Sequence, residues 1–162
     1  MDPTDLAAIA ALIHGQRQAA LGTLRDGAPY VSMVAYAEEP DFGGFLLHLS
    51  RLAAHTQQAL ADPRASLMIC EADRQHDDVQ TLARLTLTGV VLPLASASYE
   101  YEAARACYLA KLPAAAPLFG FPDFALYRFV PEEARYIGGF ARAFTLTADL
   151  LRITSRIEHD RR

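Results

Sequence analysis

The side chains best suited to hold an anion are crowded into one stretch, FLLHLSRLAAHTQQALADP, residues 45–63. Residues 44–49 read as a short buried strand, and residues 52–60 as a short helix that ends at Asp62-Pro63. Ser50 and Arg51 lie at the junction, with His55 and Thr56 in the first turns of the helix. A helix N-terminus offers unpaired N–H groups and the positive end of the helix dipole, so a hydroxyl, a guanidinium and an imidazole beside it would complete a phosphate cradle. The dipole contributes about 0.3 to 1 kcal/mol and each charge-assisted hydrogen bond roughly 1.5 to 3. Together these approach the ~8 kcal/mol of micromolar binding, so a ligand that also buries an aromatic ring would bind far better than a bare phosphate. A second reading of the same residues makes Ser50 simply the helix N-cap.

Other chemistries find little support. HExxH, GxSxG and the phosphate-loop pattern GxxxxGK[ST] are absent, and His14, His48, His55, His76 and His159 are scattered without metal-ligand spacing, so no metal site is expected. Glu71, Asp73, His76, Asp77 and Asp78 read as a solvated acidic loop. Cys70 and Cys107 form no CxxC pair and are expected as reduced thiols within apolar runs. A net charge of −4 and a pI near 5.7 argue against a broad grip on nucleic acid. The apolar run 6–13 is far short of a membrane span and follows Asp2 and Asp5 rather than a basic segment, so a cytoplasmic protein without a membrane anchor is expected.

The elements that must position these residues are mostly strands. Residues 4–17 carry Leu6, Ile9, Ala10 and Ile13 at helical spacing, with Asp2 or Thr4 as cap. Residues 21–24 and 29–37 form a hairpin about Arg25-Asp26-Gly27. Strands follow at 65–70, at 82–94 with a bulge or bend at Gly89, and at 124–130, with 134–137 leading into Gly138-Gly139. A helix is predicted over 98–109, then a Pro-punctuated stretch to 122 and a short last segment around 146–151. This order gives about six strands with peripheral helices, a mostly β, largely antiparallel barrel. With 162 residues and 52% hydrophobic composition, one domain over 1–162 is expected: N-terminal helix 1–18, barrel 19–145 and C-terminal segment 146–162.

Four strings in this order carry a resemblance to a known family: residues 19–37 (AALGTLRDGAPYVSMVAYA), 45–70 (FLLHLSRLAAHTQQALADPRASLMIC), 84–89 (RLTLTG) and 135–144 (RYIGGFARAF). Together they resemble the pyridoxamine 5′-phosphate oxidase-like FMN-binding split barrels, nearest to the haem-utilisation branch. The resemblance implies a six-stranded split barrel, a homodimer with FMN at the subunit interface, and a small-molecule substrate. By position it places Ser32, Met33 and Val34 along the flavin and ribityl chain, His48, Leu49 and Ser50 at the end of the next strand, and His55, with Arg51 and Thr56, at the phosphate. Arg84 falls at the flavin's polar edge, and Tyr136 and Arg142 at its substrate face. An FMN-dependent oxidoreductase is the first function this implies; a haem-binding or haem-utilisation protein, or a non-catalytic cofactor carrier, is the alternative.

The departures count as well. Ala37 stands where the oxidases carry Lys, Phe144 where they carry His, and Tyr108 and Lys111 match their phosphate clamp only loosely. Oxidation of pyridoxamine phosphate itself is therefore not expected. Haem-utilisation proteins usually continue into a further C-terminal region that supplies an axial ligand, for which His159 is the single nearby stand-in.

Overall fold

A computed structural model describes residues 2–75, 77–139 and 142–157. Helix α1 (Pro3–Gly15) begins at Asp2, whose carboxylate accepts from the Thr4 and Asp5 N–H groups while the Asp5 carboxylate accepts from the Asp2 N–H. This reciprocal cap satisfies donors that the first turn cannot pair, and Pro3 occupies a position where no N–H is needed. The helix then buries Ile9, Ala10, Leu12 and Ile13 against the sheet.

Strands β1 (Gln18–Arg25) and β2 (Ala28–Ala35) form the expected hairpin, with Asp26 and Gly27 both at positive φ (51° and 81°). Two left-handed residues match the right-handed twist of the flanking strands, which is why an Asp-Gly pair stands there. The chain continues through β3 (Ala37–Glu38), β4 (Phe45–Ser50), α2 (Ala54–Ala61), β5 (Arg64–Cys70), β6 (Arg84–Pro93) and α3 (Tyr99–Lys111). A 3-10 stretch, Pro113–Gly120, leads to β7 (Phe124–Ile137), β8 (Ala143–Thr147) and α4 (Ala148–Arg156).

All pairings are antiparallel, in the order β2-β1-β5-β6-β7-β4-β3, with β8 added on β7. The barrel is therefore mostly β and antiparallel as expected, but its sheet has eight strands among the described residues, not six. β3 is two residues long, too short for any alternation to show, and β8 runs straight into α4, so both escaped the pattern. The two runs read at 124–130 and 134–137 are one strand. Gly89 pairs Pro131 and Thr88 pairs Glu133, which leaves Glu132 as an extra residue in β7. A Cβ at Gly89 would collide with the Val130 carbonyl oxygen, so the bulge requires glycine there.

Alternate residues of every strand fill one core: Leu21, Phe45, Leu47, Leu67, Ile69, Leu85, Leu87, Tyr127, Phe129 and Tyr136 are all buried in it. The opposite, outer face is treated in two ways. Over β4 and β7 it is covered by α3 and the 3-10 stretch, and Leu46, Leu126, Ala104 and Tyr108 form a second cluster there. Over β2, β1 and β5 nothing among the described residues covers it.

Candidate functional site

The uncovered face is built by register. Met33 of β2 pairs Ala20 of β1, which pairs Met68 of β5; Val31, Gly22 and Ser66 make the neighbouring row. Side chains directly paired across antiparallel strands share a face, so Val31 and Met33 stand outward at 67% exposure each and Met68 at 38%. Between them lies a shallow depression of about 360 Å³ lined by Gln18, Ala20, Val31, Met33, Met68 and Cys70. Its floor is low because Ala20 offers almost no side chain. On the β6 side Arg84 pairs Cys70, while Thr86 joins Met68 to Arg135. Arg84 donates to the carbonyls of Gln80 and Leu82, and Arg135 to the Thr145 hydroxyl. A flat apolar floor with guanidinium groups at its edge suits a planar, largely apolar ligand that carries carboxylates. Ser32 and Val34 alternate inward, opposite Leu21 and Ala19, and the Ser32 hydroxyl is buried without a hydrogen-bond partner.

The expected anion cradle is only partly assembled. Its helix, α2, is capped by the backbone at Ala53, three positions beyond Ser50, with no side-chain cap. The Ser50 hydroxyl donates to Asp123 at 2.6 Å and accepts from the Leu52 N–H, while the Arg51 guanidinium donates to the Pro122 carbonyl. Both are thus committed to the 122–123 corner, and Asp123 brings a carboxylate to the place where a phosphate would have to sit. His55 is half-buried, and burial lowers its pKa, so its imidazole is a poorer cation than the sequence suggested. Thr56 is fully buried with an unpartnered hydroxyl, which leaves it and the free N–H groups of α2 as the donors still available.

Other candidate residues fall elsewhere. His48 turns outward from β4 beneath the covered end of the sheet, stacked on Phe119 at 3.8 Å and 6° with Tyr108 and Phe124 against its other edges. It is 7% exposed, neither ring nitrogen has a partner, and burial pushes its pKa down to about 4. Leu49 and Tyr136 belong to the main core, and Gly138 folds against the Tyr136 ring. Arg142 is held in an ion pair with Asp5 of α1, and that hydrogen bond holds the Asp5 carboxyl below its usual range. Among the described residues no three His, Cys, Asp or Glu side chains meet as a metal centre. His76 and His159 lie outside the described residues.

Two groupings were not anticipated. Glu38 pairs both Lys111 and His14, while the Lys111 ammonium also donates to the Ile13 carbonyl and lies 4.3 Å from the Tyr36 ring. Burial would raise the Glu38 carboxyl, but these two hydrogen bonds outweigh it and hold it low. Tyr108 and Lys111 are thus parts of the covered layer. The other grouping is the bare face itself, whose signal lay in strand parity: Met33, Ala20, Met68 and Cys70 fall on outward positions.

Comparison with known proteins fits this construction. A family model described as "CREG, beta-barrel" matches residues 2–150, and the chain belongs to that family. The chloroplastic haem oxygenase HOZ of Arabidopsis thaliana is 39% identical over 119 residues, covering 74% of this chain but 35% of that protein. A solved haem-binding protein from Mycobacterium smegmatis superposes with a TM-score of 0.82 at 28% identity, over 94% of this chain and 61% of that one. A pyridoxinephosphate oxidase family protein from Clostridium acetobutylicum, at 16% identity and a TM-score of 0.70 over 93% of this chain and 99% of its own, shares the split-barrel fold. This chain thus spans about a third of the plant relative and three-fifths of the mycobacterial one. No helix among the described residues is long and apolar enough to cross a membrane.

Proposed function

We propose that this member of the CREG beta-barrel family is a haem-binding protein, and that the bare outer face of β2, β1 and β5 is where haem rests. The observation that carries this reading is the uncovered floor at Ala20 between Met33 and Met68, with Arg84 and Arg135 on the neighbouring strands. A tetrapyrrole is flat and apolar with two carboxylates on one side, and the residues present fit it: apolar walls for the ring, guanidinium groups for the propionates. The haem-linked names of HOZ and the Mycobacterium smegmatis protein support the same ligand. When bound, haem would supply the redox chemistry; the chain's part is to shield one face of the ring and fix its orientation.

A second copy of the chain would cover what the haem leaves bare. Val31, Leu24, Pro29, Tyr30 and Ser66 border a further depression of about 380 Å³ at the hairpin end, and exposed apolar surface of this kind marks an interface. A homodimer with its cofactor beside the contact is therefore part of the proposal.

The FMN reading rests on α2 and Thr56, and it is the weaker because Ser50 and Arg51 already bond the 122–123 corner. The deciding experiment is gel filtration of the protein after incubation with haemin and with FMN, read by absorption and by mass. Haemin retained at about one per protomer, with FMN lost, is the expected result. FMN retained in preference to haemin, and released by Ser50→Ala with His55→Ala, would overturn it in favour of a flavoprotein.

A further inference from the structure

We infer that the 3-10 stretch Pro113–Gly120 is an acid-released strap: it stays closed while the His48 imidazole is neutral, and it lifts off the outer face of β4 when that ring takes a proton. This device belongs to the covered end of the sheet and is independent of the haem reading. Two observations carry it, the first being the imidazole itself. His48 is 7% exposed, neither Nδ1 nor Nε2 has a hydrogen-bond partner, and the Phe119 ring lies flat on it at 3.8 Å and 6°. A neutral ring tolerates this stack. A protonated one would hold two N–H donors and a full charge away from water and from any acceptor. The surroundings add to that cost. From α3, Tyr108 meets the ring edge and the Arg105 guanidinium lies over the same Phe119 ring at 5.2 Å. From β7 comes Phe124, while Asp123 beside it is bonded by Ser50 and Arg128 pairs Glu39 and Glu100. The strap, PAAAPLFG, carries no ionisable side chain.

The second observation is how lightly the strap is held. It runs for 8 residues in a geometry that uncommonly exceeds three or four, and Pro113 and Pro117 contribute no N–H. Only Ala115 and Phe119 are half-buried; its other residues are exposed. No sheet ladder includes it, whereas β4 beneath is tied to β7 from Phe45 with Phe129 to Ser50 with Phe124. At its far end Gly120 has open space, since an added Cβ would meet no atom within 4 Å. Withdrawing Phe119 therefore frees the strap and leaves the sheet in place. In the closed state burial holds the His48 pKa at about 4, against 6.5 for a solvated imidazole. Between these values each unit of falling pH raises the ratio of open to closed by up to tenfold, about 300-fold in all.

The test is amide hydrogen exchange of the full chain from pH 6.5 to 4, read by mass spectrometry. Each rate is divided by that of His48→Phe at the same pH, which keeps a stacked ring, cannot be protonated, and cancels the intrinsic pH dependence of exchange. The Ala115 and Phe121 N–H groups, bonded to the Leu112 and Leu118 carbonyls, should exchange faster relative to the variant as pH falls, by up to about 300-fold at pH 4. Residues 45–50 and 124–129 should keep a ratio near one. Phe119→Ala removes the stack, so its strap should exchange fast at both ends of the range; it serves as the reference where His48→Phe fails to fold. An identical strap profile in His48→Phe, or a steep one retained in Phe119→Ala, would overturn the proposal. So would loss of protection in the strap and in β4 at the same pH, since acid would then open the sheet as a whole.

Discussion

The two ends of one outer sheet face have opposite fates. Over β4 and β7, Leu46, His48 and Leu126 lie beneath α3 and the 3-10 stretch, and charge is neutralised in place by the Glu38–Lys111 and Arg128–Glu39 pairs. Over β2, β1 and β5, Val31, Met33 and Met68 stand in the open. A helix and a Pro-rich segment seal the first, and nothing among the described residues seals the second. Apolar outward positions therefore mean two different things in the same fold: a second core at one end, and a surface kept for a ligand and a second copy at the other.

The contrast is broken most decisively at the sealed end. Lys111→Met leaves the buried Glu38 carboxylate with His14 but without its ammonium partner and should cost about 3 kcal/mol, most of it recovered when Glu38→Gln is added; urea unfolding of the single and double variants checks this. Leu46→Ala should cost about 2 to 5 kcal/mol by opening a cavity, whereas Met33→Ala in the apo monomer should stay within about 0.5 kcal/mol. Equal losses at the two positions would mean that the face of β2, β1 and β5 is covered.

His48 adds a pH signature to the sealed end. Its folded pKa, about 4, lies below the ordinary value of 6.5, so the unfolded chain binds the proton more readily. Stability should then be full above pH 6.5 and fall by up to about 3 kcal/mol as pH drops towards 4, a slope that His48→Phe removes. Denaturation midpoints at neutral and acid pH measure it. A smaller loss than at Leu46 lies outside both regions: Asp2→Ala removes the cap of α1 and should cost about 1 kcal/mol in thermal unfolding.

Much of this architecture was readable before any coordinates. The hairpin announced itself through Asp26-Gly27, the bulge through Gly89, and helix α1 through Asp2, Pro3 and the spacing of Ile9 and Ile13, because each is fixed by local backbone chemistry. What escaped depends on partners far away in sequence. Whether Ser50 is free for a phosphate is decided by Asp123, and whether Arg142 reaches a ligand is decided by Asp5 at the other end of the chain. Tyr136 and His48 could equally have lined a site or a core until the register of β7 against β6 and β4 was known. Parity within a strand separates inner from outer residues, but the covering of an outer face by α3 is a tertiary fact that no short window contains.

The long strand β7 also orders events during synthesis. It pairs β6 and β8, its neighbours in sequence, and β4, which emerges from the ribosome about 75 residues earlier, or roughly 4 to 15 s at ordinary rates of translation. Through that interval one hydrogen-bonding edge of β4, the strand FLLHLS, has no native partner. The nascent chain must carry an open and strongly apolar strand edge until residue 129 is in place, which makes this segment the point where a chaperone would be needed first and where slowed elongation would most readily produce aggregates.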